Sequence, residues 1–501
     1  MEFYAIFLFL FLFIFIIRKL GTRSKKNLPP GPASFPLIGH LHLLMSNPKS
    51  LPHHILRDLA TKYGPVMHLQ LGEISTVVIS SLDAAKQVLK TYDLTLASRP
   101  TLIAADALFY GQTDIAFAPY GAHWRQMRKI SMLELLSTKR VQAIQHIRQE
   151  ESMNFCRWIA SNEGNPIDLA EKIVSTTYDI ISRSSFGRKT KEQEAFIAVL
   201  IEALDVLGGF HIADMYPSAK WLQTITGMRQ TLERLRKGAD RLLETIIQQR
   251  IKADGKKDKN DEEEDLLDVL LKLQYSGDLE LPLTMDHIKA VMLIVFFAGS
   301  ETSSTVTDWT MLELLKNPKV LKKVQDEVRG VFDAKGGYVH ESHFDELKYL
   351  KLVIKETLRM HPPLPLLLPR EAMENCEILG YHVPAKTRVV VNAWALGRDP
   401  KYWENPDSFI PERFLDSNVD FKGNDFQYVP FGAGRRICPG ISYGLANMEI
   451  QLASFLYYFD WSLPEGMKPQ EIDFTEAFAI TVRRKQNLNV VPRLMRPLPT
   501  P

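Results

Sequence analysis

The apolar positions of this chain begin as an unbroken block. Phe3 to Ile17 carry no charge, and Leu20 extends the run past Arg18 and Lys19. A bilayer core of ~30 Å needs about 20 helical residues, and snorkelling of Arg18 and Lys19 makes up the length. A secretory signal would show a basic start and a small-residue cleavage site, and neither is present. Residues 1–20 are therefore read as a single-pass anchor. Arg18, Lys19, Arg23, Lys25 and Lys26 follow the run, so the positive-inside rule puts the remainder in the cytosol. Residues 21–36 contain Leu28-Pro29-Pro30-Gly31-Pro32, a stiff linker. Residues 37–501 follow as one large domain with no internal repeat.

Within that domain the period changes from place to place. Val66–Leu71 and Thr76–Ser80 flank Gly72-Glu73 and read as a hairpin. Lys252–Asp265 is a mixed-charge loop leading into a helix over Leu266–Leu273. Met285 to Leu315 predicts one helix of about 46 Å at ~1.5 Å per residue. Its first half, Ala290 to Phe297, is apolar all round, which marks a helix through the core. A further helix is predicted from about Phe344 to Met360, ended by His361-Pro362-Pro363, and another from Ile441 to Phe459. After His361, Pro and Gly become frequent and only short strands such as Arg388–Val391 interrupt them. The fold class is mainly α with a small β region.

Composition narrows the function. The chain has 501 residues, 45% hydrophobic and 24% charged, an ordinary globular balance. Lys+Arg is 61 against Asp+Glu 59, a formal net charge of +2, which gives no support for a nucleic-acid partner. Three cysteines, Cys156, Cys376 and Cys438, are too few for a disulfide framework and fit a reducing compartment.

One cysteine has unusual surroundings. The segment Phe431-Gly432-Ala433-Gly434-Arg435-Arg436-Ile437-Cys438-Pro439-Gly440 offers a thiolate backbone N–H donors, nearby cations and a helix N-terminus. Gly432, Gly434 and Gly440 allow a close fold around the sulfur. No second Cys or His lies at zinc spacing. A lone thiolate suits a cofactor that brings its other metal ligands, as haem does, with cysteine pushing electron density onto the iron.

This segment matches FxxGxRxCxG at every fixed position and resembles the haem-binding signature of cytochrome P-450 monooxygenases. The likeness extends over nearly the whole chain and is nearest to the plant endoplasmic-reticulum type that hydroxylates terpenoids and indole alkaloids. It implies the cytochrome P-450 fold for residues 37–501, haem b held by Cys438, and electrons from NADPH delivered by NADPH–cytochrome P-450 reductase. No phosphate-cradling Gly-rich motif for binding the nicotinamide directly is apparent.

Other motifs carry the same resemblance. Glu356-Thr357-Leu358-Arg359 places an acid and a base one helical turn apart, on a face shared with Tyr349, Leu352 and Val353 that predicts burial. The resemblance adds Arg413, from Pro411-Glu412-Arg413-Phe414, as third member of a structural Glu–Arg–Arg network. Ala298-Gly299-Ser300-Glu301-Thr302 interrupts the apolar helix with residues that oppose helical propensity, and its hydroxyls can bond i−4 carbonyls. By resemblance Ala298 and Gly299 lie over the haem face, Phe431 and Gly432 also bind the haem, and Thr302 and Glu301 relay protons to bound O2. Trp124, Arg128, Arg436 and Arg370 are expected to hold the haem propionates. Arg125, Lys129, Lys139 and Arg140 are a basic patch for the acidic electron donor.

The segments that resemble the family's pocket wall are rich in aliphatic and aromatic side chains. They contribute Leu102, Phe109, Phe210, Phe297, Leu366, Leu367, Ala479 and Ile480, a set that fits a small hydrophobic substrate held by shape. The expected reaction is hydroxylation of a plant specialised metabolite, a terpenoid first, with an indole alkaloid or phenolic as the alternative. A haem-thiolate isomerase or dehydratase that needs no O2, and a haem sensor or scaffold, are the competing classes. Turnover with reductase separates them.

Overall fold

The computed structural model describes residues 27–45, 50–189, 193–208, 211–254 and 264–500. The expected anchor (1–20), the first part of the linker and Phe210 lie outside the described residues.

Helix α1 (Pro52–Tyr63) starts with proline in its first turn, where the missing N–H costs nothing. Strands β1 (Val66–Leu71) and β2 (Ile74–Ile79) pair antiparallel through a turn at Gly72, whose φ of +60° favours glycine. Helix α2 (Ala122–Ile130) follows. Helix α3 (Leu169–Phe186) is capped by the Asp168 carboxylate on the Glu171 N–H and closed by left-handed Gly187. Helix α4 (Met285–Lys316) opens with a reciprocal cap between Thr284 and His287 and runs unbroken for 32 residues. Helix α5 (Lys348–Met360), strands β3 (Arg370–Glu371) and β4 (Arg388–Val391), helix α6 (Ile441–Tyr458) and the β5 (Glu476–Phe478) and β6 (Val482–Arg484) hairpin complete the frame. A four-stranded sheet runs β1-β2-β4-β3, with β2 and β4 parallel, Thr76 opposite Arg388 and Ile79 opposite Val391.

Helix α4 organises the interior. It packs against α3, α5 and α6. Ile288 and Val291 to Phe297 belong to one apolar cluster, and Val306, Trp309, Met311, Leu312, Leu314 and Leu315 to another. The polar stretch from Ala298 to Thr305 lies between the two. Among the described residues α4 is the one helix long and apolar enough to cross a membrane, and 83% of its most apolar window is buried inside the fold. It is a core helix.

Three boundaries differ from the sequence reading. The helix expected from about Phe344 starts at Lys348, after a 3-10 turn over Glu341–Glu346. Glu327 explains the break: its carboxylate accepts the N–H groups of Tyr349 and Leu350 at 2.7 and 2.9 Å, capping the new helix. The mixed-charge loop is shorter than expected, since a helix reaches Asp254. Asp265 is also no solvated loop residue. It is buried, caps the helix Leu266–Ser276 and pairs with Arg250 at 2.6 Å.

Candidate active site

A cavity of about 240 Å³ lies between α2, α4, α6, the 363–370 segment and the loop before α6. Trp124, Arg128, Ala298, Gly299, Thr302, Leu367, Arg370, Phe431, Gly432, Arg436 and Cys438 all line it, so residues spread over more than three hundred positions converge on one space.

The loop around the sulfur follows from its glycines. Gly432 and Gly434 both have φ of +68°, a region that costs other residues about 1–2 kcal/mol. A side chain on Gly434 would collide with Asp93 and with the Leu89 carbonyl. Cys438 donates its N–H to the Phe431 carbonyl at 3.0 Å. Its Sγ accepts the Gly440 N–H at 3.4 Å, one residue before α6 begins. Burial pushes the Cys438 thiol up, and the Gly440 N–H and the Arg128 charge pull it back. The free thiol is therefore not a ready thiolate, and a metal cation at the sulfur is what would favour its ionised form. Arg435 and Arg436 are not the cations that act on the sulfur, as their nearness in sequence implied. Arg435 is half exposed and paired with Asp93, while Arg436 turns to other partners.

Those partners define a cationic pole. Arg436 donates to the Ala97 and Ala118 carbonyls at 2.7 and 2.6 Å and stacks 4.1 Å from the Trp124 ring. Arg370 donates to Asp93 at 2.9 Å and to the Ala433 carbonyl. Arg99, which sequence reading missed, lines the same wall and holds the carbonyls of Ala116, Leu368 and Pro369. Burial, with Arg370 adding repulsion, lowers the Arg436 guanidinium to about 9. The Nη1 of Arg436 is buried with no hydrogen-bond partner among the described residues, and the half-buried Arg128 lines the same cavity. A buried, unpaired guanidinium donor demands an anion. The donor set therefore fits a group with paired carboxylates at this end and a metal at Cys438. Trp124 departs from its expected role, because its indole N–H already donates to the Ile115 carbonyl at 3.0 Å.

The opposite wall is the polar middle of α4. Thr302 donates to the Ala298 carbonyl at 2.7 Å and Ser300 to the Phe296 carbonyl at 2.6 Å, the i−4 bonds expected of hydroxyls in a helix. Ala298 is solvent-accessible on this buried helix because it opens onto the cavity. Gly299 permits close approach: a Cβ there would meet Ile181 Cδ1 at 3.2 Å and Tyr443 Cε1 at 3.3 Å. Glu301 faces elsewhere. It is buried, absent from the cavity wall, and accepts the Thr481 hydroxyl at 3.0 Å. Burial raises its carboxyl, with Arg483 opposing. The expected pair thus splits: Thr302 is on the cavity and Glu301 is beside the β5–β6 turn.

The network at Glu356 is brought together behind this wall. Arg359 places Nε and Nη2 each 2.8 Å from the two Glu356 oxygens, and Arg413 Nε lies 2.9 Å from Glu356 Oε1. The Glu356 and Arg359 side chains are fully buried. The pocket residues divide into groups. Leu102, Leu366, Leu367, Ala479 and Ile480 line a smaller neighbouring cavity of about 60 Å³. Only Leu367 of these also faces the larger one. Phe109 and Phe297 are core residues, with ring centres 5.9 Å apart, and line neither cavity.

Comparison with known proteins agrees with this geometry. The family profile described as Cytochrome P450 matches residues 29–489. Salviol synthase of Salvia pomifera is 51% identical over 97% of this chain and 96% of its own length. Premnaspirodiene oxygenase of Hyoscyamus muticus is 50% identical, covering 94% of each chain. A zebra fish cytochrome P450 structure with abiraterone superposes with a TM-score of 0.76 at 28% identity, over 89% of this chain and 99% of that one. A Cys-centred loop at a helix start, a buried cationic pole and a hydroxyl-bearing core helix thus come with a family match over most of the sequence, and the chain belongs to the cytochrome P450 family as a plant-type monooxygenase.

Proposed function

We propose that Cys438 would hold the iron of a haem b through its thiolate and Arg128 and Arg436 would hold its propionates, and that the enzyme hydroxylates a small hydrophobic terpenoid. The alternative substrate is an indole alkaloid or phenolic. The observation that carries this reading is the polarity of one cavity, with sulfur on one wall, guanidinium groups at one end and Thr302 opposite. Bound haem supplies the activation of dioxygen, favoured by electron donation from the thiolate.

The protein's residues do the rest. Arg128 sits close enough to the sulfur to favour its charge. Thr302 presents a hydroxyl on the cavity and can pass a proton inward, since its own hydrogen is held only by the Ala298 carbonyl. The buried Glu301 is held by Thr481 away from the cavity, so its part in proton delivery requires its side chain to turn or a water to bridge the gap. Ile181, Ile294, Val295, Leu364 and Leu368 form an apolar wall that excludes water and leaves shape to decide which C–H is presented. The relatives support the substrate class, since a diene oxygenase is half identical to this chain.

Electrons come from NADPH through NADPH–cytochrome P-450 reductase. Arg125 and Lys129 are exposed on α2, the helix that carries Trp124 and Arg128, and offer an acidic partner a route to the cavity. Arg140 is less available, because it pairs with Glu264 at 3.2 Å. The enzyme works on the cytosolic face of the endoplasmic reticulum. Exposed Phe35, Leu37, Ile38, Ile212, Trp221 and Ile225 support a lipid-facing side. The Tyr216 hydroxyl, bonded to the Leu37 carbonyl, ties the two segments together.

The test is expression of the full chain in microsomes with reductase, assayed against terpene and alkaloid panels. The ferrous carbonyl spectrum should be that of a thiolate-bound haem and should vanish in Cys438→Ser. A globin-like carbonyl spectrum in intact protein, or full turnover by Cys438→Ser, overturns the assignment.

A further inference from the structure

Away from the haem-fitting cavity, two imidazoles and a carboxylate converge where α1 begins. His53 and His54 lie in its first turn. The Nε2 atoms of both face one oxygen, Glu476 Oε2, at 3.1 and 3.4 Å. All three ligand atoms lie within 4.8 Å of one another. Donors at ~2.0 Å from a tetrahedral zinc are ~3.3 Å apart, so the two measured edges already match a coordination polyhedron. The third edge can shorten by turning the His54 ring, which is 30% exposed.

We propose that His53, His54 and Glu476 form a divalent transition-metal site, with zinc as the best-suited ion. Two imidazoles and one carboxylate are a donor set that zinc takes with its fourth position open. Here that position faces a separate cavity lined by His54, Glu476, Glu313, His361 and Arg398. A single ion pair accounts for only part of the arrangement: His53 Nε2 is hydrogen-bonded to Glu476 Oε2 at 3.1 Å, and His54 Nε2 is aimed at the same oxygen from 3.4 Å.

The same surroundings set the strength. His53 Nδ1 is buried without a partner among the described residues, so the usual outer acceptor for a metal-bound imidazole is missing. Arg57 and Arg398 also bear on His54. Loss of such outer support lowers metal affinity ~10–100-fold, which makes this an exchangeable site rather than a permanent one. Its occupancy has a mechanical target. Glu476 begins β5, and the turn beyond it carries Ala479 and Ile480 on the smaller cavity and Thr481 bonded to Glu301. Metal at Glu476 would clamp the base of that hairpin to α1.

The experiment uses the full, haem-loaded chain without a polyhistidine tag, stripped with chelator and titrated calorimetrically with zinc chloride. One saturable equivalent is expected, removable by chelator, with a rise in thermal midpoint. Affinity should fall at least tenfold, and the thermal rise disappear, in both His54→Ala and Glu476→Gln. Absence of a saturable equivalent in the wild type, or affinity kept within threefold in either variant, overturns the site. Should a variant lose haem, X-ray absorption of zinc in the wild type decides: a two-imidazole shell supports the site, and a sulfur or all-water shell overturns it. Binding is read without turnover, so its failure leaves the monooxygenase reading intact.

Discussion

Substituting Glu356→Gln tests whether the buried charge network holds the core behind the thiolate. Glu356 accepts four hydrogen bonds, two from Arg359 at 2.8 Å, one from Arg413 at 2.9 Å and one from the Ile410 N–H at 2.9 Å. The change keeps the shape and removes the charge, leaving two guanidinium groups facing a neutral amide. Removing one partner of a buried pair costs ~3–5 kcal/mol. Here both arginines keep carbonyl acceptors, Arg359 at Gly397 and Pro406 and Arg413 at Glu404, so the lower end, about 3 kcal/mol, is expected. Arg413→Lys keeps the charge beside Glu356 but loses the fork that also holds the Glu404, Asn405 and Ser408 carbonyls, so a cost of about 1–3 kcal/mol is expected. Denaturant midpoints at equal slope give both numbers. Combining Glu356→Gln with Arg359→Met should cost less than the sum of the two, since the second change removes the uncompensated charge. A Glu356→Gln loss below about 1 kcal/mol, or strict additivity in the double variant, refutes the reasoning.

Thr302→Ala should retain haem and substrate binding but release more peroxide per NADPH consumed, while Thr302→Ser should not; equal coupling in all three proteins removes Thr302 from proton delivery. Arg128→Gln removes a cation next to Cys438, and loss of a charge-assisted bond worth ~1.5–3 kcal/mol predicts haem transfer to apomyoglobin roughly 10- to 100-fold faster, followed at the Soret band. Glu449 is raised to about 7 by burial, with Glu341 and Asp345 adding to it and Lys351 opposing. A carboxyl raised on folding stabilises the fold below its unfolded value and loses that contribution as pH rises through its folded one. Stability should therefore decline by ~3 kcal/mol as pH rises from about 4.5 through 7, and Glu449→Gln should flatten that slope; an unchanged slope would count against the burial argument.

The thiolate loop was legible because its chemistry is local, with the glycines, the cysteine and the helix start inside ten consecutive residues. The long core helix was legible from its all-round apolar half, with its start at Met285 as expected and its end one residue later. The cationic pole was not, since Arg99, Arg128, Arg370 and Arg436 come from four separate segments and meet only through the fold. The resemblance supplied three of them. Arg99 lay between Ser98 and Pro100 with nothing to mark it, and its carbonyl-binding role needs Leu368 and Pro369 nearby. The outward turn of Glu301 could have been read. With Ala298, Gly299 and Thr302 on one face, a helical step of ~100° per residue puts position 301 roughly a quarter-turn or more away from the centre of that face. Asp265 was missed because a charge run hides its last member, which acts as a cap.

Leu367 carries a cost that reveals its use. Its φ of +52° places a bulky side chain in the left-handed region, a strain of about 1–2 kcal/mol that glycine would not bear. This residue stands between the two cavities and touches both. It shares that position with Leu364 and Leu368, so replacing it with glycine would relax the backbone and remove one of three side chains that separate the spaces. The protein keeps a less comfortable backbone in exchange for a partition, so the outer chamber can be reshaped at Ala479 or Leu366 without moving the wall that faces the sulfur. Divergence toward new substrates within such a frame would then begin on the far side of Leu367.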